Sequence, residues 1–238
     1  MFLSPMKGSQ CRYNVDKVVN EMVKLAAVLG DYYHSYEWAK QSLESALNVG
    51  NEDMQINYCS PEQLTEVLRE QPDAVILLKE NRINPIDKNI DTWMTEELSV
   101  EITSYVENGG SWLAWHSGLA SYPIEDSYGK MLRGYFLHHP EKHQQVHYTS
   151  SEGNAIVPSS TSFEIVDEHY FVHCDKENTN VFLFSESIDG KAEAGWSHHY
   201  GKGKVCCLTP AHNKDGLLNI DFLNVLRNCV NWLLMANP

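Results

Sequence analysis

The segment Gly109-Gly110-Ser111-Trp112-Leu113-Ala114-Trp115-His116-Ser117-Gly118 decides how the chain is read. Trp112 to Trp115 is an unbroken apolar run of strand length. It follows a Gly-Gly turn and runs straight into a polar His-Ser-Gly step. A continuous run, rather than strict alternation, suits a strand covered on both faces. Val23–Leu29, bounded by Gly30-Asp31, and Ala74–Leu78 read the same way, and Met54–Cys59 reads as a further strand. Between these runs the apolar period changes to that of a helix. Tyr36, Ala39, Leu43, Ala46 and Leu47 form one stripe, with Gly50 as its stop. Leu64, Val67 and Leu68 form another, behind a Ser60 cap and Pro61. Leu98, Ile102, Tyr105 and Val106 form a third, opened by Thr95 and closed at Asn108-Gly109-Gly110 by a left-handed cap. The order β-α-β-α-β-α-β with short connections implies α/β architecture. It predicts a doubly wound, mostly parallel sheet with right-handed crossovers and helices on both faces.

The second half is more mixed. Gln145–Tyr148, Phe163–Val166, Val181–Phe184, Ala192–His198 and Lys204–Leu208 are strand candidates. Tyr200-Gly201-Lys202-Gly203 predicts a hairpin turn between the last two. A terminal helix carries Phe222, Val225, Leu226, Cys229, Val230, Leu233 and Leu234 on a wide apolar stripe. Residues 1–21 read as an N-terminal extension, with a short helix near Val15–Met22, ahead of one α/β domain over 22–238.

With 238 residues, 42% of them hydrophobic, the chain can bury one large core. Lys+Arg total 18 against Asp+Glu 32, a net charge of −14, which argues against polyanionic partners such as nucleic acid or an anionic membrane. No apolar run is long enough to span a bilayer. Met1–Met22 lacks the apolar core of a signal peptide. The six scattered cysteines, with no C-x-x-C pair, read as reduced thiols of a cytoplasmic protein. Cys206 and Cys207 are expected on opposite faces of one strand.

In an open parallel sheet, ligands bind beyond the carboxyl ends of the strands. Three strand ends here carry a histidine: Asp31-Tyr32-Tyr33-His34, His116-Ser117-Gly118 and Thr209-Pro210-Ala211-His212. A sharp strand-to-helix turn lifts one side chain above the sheet edge, where hydrolases place a nucleophile. Here that residue is His116, a general acid or base or a metal ligand. Ser117 is a weaker candidate nucleophile without elbow spacing. Asp167-Glu168-His169-Tyr170 follows another strand and offers carboxylates to hydroxyls, cations or imidazoles. His138, His139, His143 and His147 form a histidine-rich loop in which His139 is the strongest site candidate. There is no H-E-x-x-H. Trp112, Trp115 and Trp196 read first as core, with Trp196 also a candidate platform for a sugar ring.

The segment 109–118 also resembles the G-G-x-x-x-x-x-H-x-G motif of ThuA-like, trehalose-utilisation proteins. Leu132-Arg133-Gly134-Tyr135-Phe136-Leu137-His138-His139-Pro140 resembles that family's L-x-G-x-F-x-x-H-P. Phe163-Glu164-Ile165-Val166-Asp167-Glu168-His169-Tyr170 resembles its F-x-I-x-D-E-x-Y. Trp196, Tyr200–Val205 and Ala211-His212 resemble its last motifs. Two departures stand out: Asn154-Ala155-Ile156 in place of His-Pro-Ile, and Ala211 in place of a glycine. The resemblance implies a flavodoxin-like sheet of the class I glutamine amidotransferase type. His116 then stands at the nucleophilic cysteine's place and His212 at the catalytic histidine's, so amidotransferase chemistry is not expected. The implied role is in the use of trehalose or a related disaccharide. The expected activity is on a sugar or keto-sugar, with His116, His212 and Glu168 catalytic and Asp31, His34, His139, Asp167, Tyr170 and Trp196 binding substrate. A divalent metal such as zinc suits these ligands. The alternative is a non-catalytic sugar-binding or regulatory protein. The expected partner is a small carbohydrate, and a homo-oligomer is left open.

Overall fold

A computed structural model describes residues 22–48 and 54–236. The N-terminal extension with its short helix, Cys11 and the Gly50 stop signal lie outside the described residues. Strand β1 (Val23–Leu29) leads to helix α1 (Tyr36–Leu47), then β2 (Met54–Tyr58), α2 (Leu64–Arg69), β3 (Ala74–Leu78), α3 (Glu96–Glu107) and β4 (Ser111–Trp115). Helix α4 (Ser127–Leu132) and seven strands follow: β5 (Gly134–His138), β6 (Gln144–Ser150), β7 (Ser162–Asp167), β8 (Phe171–Cys174), β9 (Asn180–Ser187), β10 (Gly190–Tyr200) and β11 (Gly203–Leu208). Helices α5 (Lys214–Leu217) and α6 (Ile220–Leu234) close the described chain.

Nine strands form one sheet in the order β2-β1-β3-β4-β11-β10-β9-β6-β7. The pairs from β2 to β11 are parallel, and β10, β9, β6 and β7 continue the sheet antiparallel. The doubly wound parallel half is therefore as the apolar runs predict. The predicted hairpin joins β10 to β11 through Gly201, whose φ of 58° suits glycine. Strands β5 and β8 pair separately as a small antiparallel ribbon.

The unbroken runs are explained by burial on both faces. On one face Leu25, Ala27, Ile76, Leu113, Trp115 and Cys206 pack against α1 and α6. On the other Ala26, Val28, Val75, Leu77, Trp112 and Cys207 pack against α2, α3 and α4. Each fully buried aliphatic side chain contributes about 1.5–3 kcal/mol before chain entropy is counted. Cys206 and Cys207 do face opposite layers. The five described cysteines are free.

Several expectations are corrected. Tyr36 is exposed on α1, and Ser42 occupies the buried stripe with its hydroxyl on the Leu217 carbonyl. The left-handed close of α3, by contrast, stands as expected: the positive φ falls on Gly109, just after Asn108, and the Gly109 and Gly110 amides donate to the Val106 and Tyr105 carbonyls. Helix α4 and the β5–β8 ribbon carry too short a period to be seen in the sequence. Trp196 is fully buried, and its Nε1 donates to the Leu132 carbonyl at 2.9 Å. It packs under Gly134 as core and offers no platform to a sugar.

His198, on β10, is also a core residue, with Nε2 donating to the Met131 carbonyl at 2.9 Å. Burial, with the Arg133 charge nearby, lowers its pKa to about 4. The fold thus stabilises the neutral imidazole. That contribution is complete above pH 6.5 and is lost as pH falls towards 4, at a cost of about 3 kcal/mol. In His198→Gln, an uncharged donor to Met131, denaturant unfolding between pH 6.5 and 4 is expected to lose correspondingly less stability than wild type.

Candidate functional site

Strand β4 ends in a strained turn. His116 has a φ of 47°, left-handed backbone that residues other than glycine seldom adopt. Two residues on, a Cβ at Gly118 would stand 2.3 Å from the Leu77 carbonyl oxygen, so only glycine lets the turn press against β3. This is the elbow expected from the sequence, and it aims His116 into the crevice at the sheet's carboxyl edge. The His116 ring is fully buried and stacks on Tyr170, with centroids 4.1 Å apart.

Four side chains from four different strand ends meet there. His34 follows β1, His116 follows β4, Glu168 follows β7 and His212 follows β11. Their donor atoms all lie within 4.8 Å of one another. Glu168 Oε2 stands 3.6 Å from His116 Nε2 and 3.3 Å from His212 Nδ1. The outward-facing nitrogens of His34 and His116 are held from behind. His34 Nδ1 contacts Asp31 Oδ1 at 2.6 Å, and His116 Nδ1 contacts the Thr209 carbonyl at 2.5 Å. A carbonyl only accepts, so His116 carries its proton on Nδ1 and turns a lone pair inward on Nε2. In the same sense, His34 turns Nε2 inward. His34 Nε2, His116 Nε2 and His212 Nδ1 are buried without a hydrogen-bond partner among the described residues.

The electrostatics follow from burial and from Glu168. Burial lowers the His116 pKa to about 4 and keeps it neutral. At His212 burial also disfavours charge, but the Glu168 carboxylate overrides it and raises the pKa. Burial would raise Glu168, yet the imidazoles of His116 and His212 hold it well below the usual carboxylate range. Asp31 is held low in the same way, by His34 and by hydrogen bonds from the Glu80 amide and Ser117 Oγ. Asp167 differs: complete burial pushes it up to about 7, although it accepts from the His212 amide at 2.7 Å and from Tyr148 at 3.2 Å.

The expected residues therefore sort into layers. His34, His116, His212 and Glu168 meet directly. Asp31 and Asp167 stand behind them, and Tyr170 walls the crevice. His139 lies at the rim, with Nε2 3.7 Å from Glu168 Oε1. Ser117 Oγ donates to Asp31 Oδ2 at 2.8 Å and so ties the elbow to the loop beyond β1. His147 pairs with Ser162 and Glu164 on the sheet, away from the cluster. Two neighbours were missed, Glu80 and Arg82, and a third, His143, was named only as part of the histidine-rich loop. His143 Nε2 lies 3.8 Å from Glu168 Oε1, and Glu80 and Arg82 line the cavity beside His34. The signal for Glu80 was available: it stands two residues past the end of β3, at the same sheet edge as Asp31 and His116.

A profile of the ThuA family, described as trehalose utilisation, matches residues 28–233. The chain belongs to the ThuA family. Its fold is similar to that of a ThuA-like protein from Parabacteroides merdae, with TM-score 0.68, 12% identity and coverage of 90% of this chain and 91% of that one. It is also similar to a cytoplasmic protein of Salmonella typhimurium, at TM-score 0.61 and 18% identity, covering 88% of this chain and 99% of the other. A β-galactosidase from Rahnella sp. R3 contains a similar fold, at TM-score 0.58 and 14% identity. There 91% of this ThuA chain is covered but only 32% of the enzyme, so the chain spans about a third of its length. Comparison with curated proteins returns no match. No helix among the described residues is long and apolar enough to cross a membrane.

The elbow geometry of this ThuA protein is testable. Gly118→Ala is expected to cost about 1–3 kcal/mol in denaturant unfolding, because a methyl group must displace the β3 backbone. Gly153→Ala meets nothing within 4 Å and is expected to cost only about 1 kcal/mol, from its φ of 71°.

Proposed function

We propose that this ThuA protein is a metal-dependent enzyme acting on a neutral sugar or keto-sugar, with a zinc-like divalent ion held by His34, His116, His212 and Glu168. One observation carries the reading: three buried imidazole nitrogens lack partners and face the same carboxylate. Buried polar atoms without partners cost free energy, and imidazole lone pairs beside a carboxylate fit a divalent transition metal. The groups behind them fit too. Asp31 on His34 and the Thr209 carbonyl on His116 set the tautomers and ring orientations that ligation needs.

When bound, such an ion supplies Lewis-acid polarisation of a sugar oxygen or an activated water. The chain's own residues do the rest. Asp167 fixes the backbone of His212, so that its ring is aimed at Glu168. Tyr170 stacks on His116 and keeps water from that side. His139 contacts the Pro140 carbonyl through Nδ1 at 2.8 Å, which places its proton there and leaves Nε2 as an acid/base group at the rim. His143, beside the His212 ring, is a second rim imidazole. An elbow histidine in place of a cysteine leaves no nucleophile for glutamine hydrolysis. The cytoplasm is the proposed compartment, in keeping with the Salmonella neighbour's description.

The test is metal analysis of untagged protein purified without chelator. About one zinc or similar ion per chain is expected. It should be lost in His34→Ala, His116→Ala and His212→Ala, and bound about 10–100-fold more weakly in Asp31→Asn. Loaded protein is then incubated with trehalose and its keto derivative, and products are followed by NMR. Metal-free protein that gains none on incubation with zinc would overturn the metal centre. Bound metal and bound sugar with no product would make the protein a sugar-binding module.

A further inference from the structure

Beside the cluster lies a cavity of about 320 Å³ walled by Tyr33, His34, Glu80, Arg82, Phe136, Tyr170 and neighbouring residues. One of its walls is a buried carboxylate with half its hydrogen bonding unmet. Glu80 is 2% exposed. Its Oε2 accepts from Arg82 Nε at 2.7 Å and from Ser121 Oγ at 3.2 Å, and stands 2.6 Å from Arg82 Nη2. Its Oε1 is buried with no partner among the described residues. The surroundings are built to hold it. The Glu80 amide donates to Asp31, its carbonyl accepts from Trp93 Nε1, and Asn81 ties the loop to Met94 and Ser121. A lone buried carboxylate oxygen is costly in the absence of a donor, so this geometry is poised for a donor that arrives with a ligand.

We infer that Glu80 and Arg82 form a hydroxyl-reading subsite for one ring of a neutral sugar. This deepens, and rests on, the sugar reading of the adjoining cluster. A guanidinium has five donors in a fixed plane. With Nε and Nη2 turned to Glu80 Oε2, Nη1 stands outside that pair as the guanidinium's remaining donor and Oε1 as the carboxylate's remaining acceptor. Adjacent ring hydroxyls match this pair, one donating to Glu80 and its neighbour accepting from Arg82. Phe136 and Tyr33 supply apolar faces for the C–H surface of the ring. The cavity is at the lower end of small-molecule sites, about 300–1,000 Å³, which suits one ring and leaves a second ring outside. Neutrality follows from charge: Arg82 is matched by Glu80 and the other charged wall is Glu168, so a sugar phosphate meets no unmatched lysine or arginine on the lining.

Zinc-loaded wild type, Glu80→Gln and Arg82→Met are titrated with D-glucose, D-galactose, D-fructose, trehalose and glucose 6-phosphate by calorimetry and saturation-transfer NMR. Zinc content and melting temperature are recorded for each protein. Wild type is expected to bind at least one of the neutral hexoses and to bind glucose 6-phosphate more weakly. Both variants should lose about tenfold or more in affinity, the worth of one hydrogen bond to a charged group, with zinc retained. Where Glu80→Gln does not fold, Glu80→Asp keeps the charge, withdraws the carboxylate by one methylene and carries the same expected loss. Unchanged affinity in the variants, tighter binding of the phosphate ester, or no binding of any neutral hexose overturns the subsite. The metal centre is judged separately, by zinc content, so failure of the subsite is told apart from failure of the metal reading.

Discussion

The carboxylate of Asp31 ties together the loops from which the site is made. Oδ1 accepts from the amides of Tyr33 and His34 and contacts His34 Nδ1, while Oδ2 accepts from the Glu80 amide and Ser117 Oγ. One buried charge thus binds the chain beyond β1, β3 and β4, three strands adjacent in the sheet. Hydrogen bonds to an ionised acceptor contribute more than neutral ones, about 1.5–3 kcal/mol each. Their shared acceptor makes the three loops one unit. The orientation of His34, the seating of the elbow at His116-Ser117 and the position of Glu80 all depend on the same anion.

The fourth contribution comes from far across the sheet. Between β4 and β7 lie β11, β10, β9 and β6. At about 4.8 Å per strand a flat sheet would hold β4 and β7 about 24 Å apart. Yet Glu168, just past β7, reaches within 3.6 Å of His116. The antiparallel half must therefore coil back over the carboxyl edge of the parallel half. Register shifts around Gly195 in the long strand β10 supply a bend of the kind bulges produce. A Cβ at Gly195 would meet the Phe182 ring at 2.5 Å, so the bend also needs the missing side chain.

This division explains what could be read from the sequence. The parallel half is legible because helices cover both faces, and its strands announce themselves as unbroken apolar runs. Val23–Leu29 and Ala74–Leu78 match the observed strands to the residue. Histidines at strand ends were legible for the same topological reason, since the carboxyl edge is where such a sheet gathers its ligands. Nothing local in Asp167-Glu168 says which carboxylate faces His116 and which is buried behind His212. That is decided by the coil of the sheet, a long-range property. Trp196 misled as a sugar platform because an aromatic on a strand looks alike from either side, and only packing under Gly134 shows it is core. Arg82 was hidden by its setting in a polar loop, where charged residues are ordinarily solvated, whereas Glu80 stands at the sheet edge that gathers the site.

The charge pattern around the crevice constrains its chemistry further. At neutral pH His116 is neutral, while Asp31 and Glu168 are held ionised. Arg82 is matched by Glu80. The crevice is thus rich in lone pairs and in negative charge, within a chain whose net charge is already −14. Such a site attracts cations and neutral hydrogen-bond donors and disfavours anions. The tip of the elbow is His116, on left-handed backbone with a φ of 47°. With histidine at that point, the elbow turns the same strained backbone towards presenting a lone pair. On the proposed reading, that lone pair serves ligation or proton exchange.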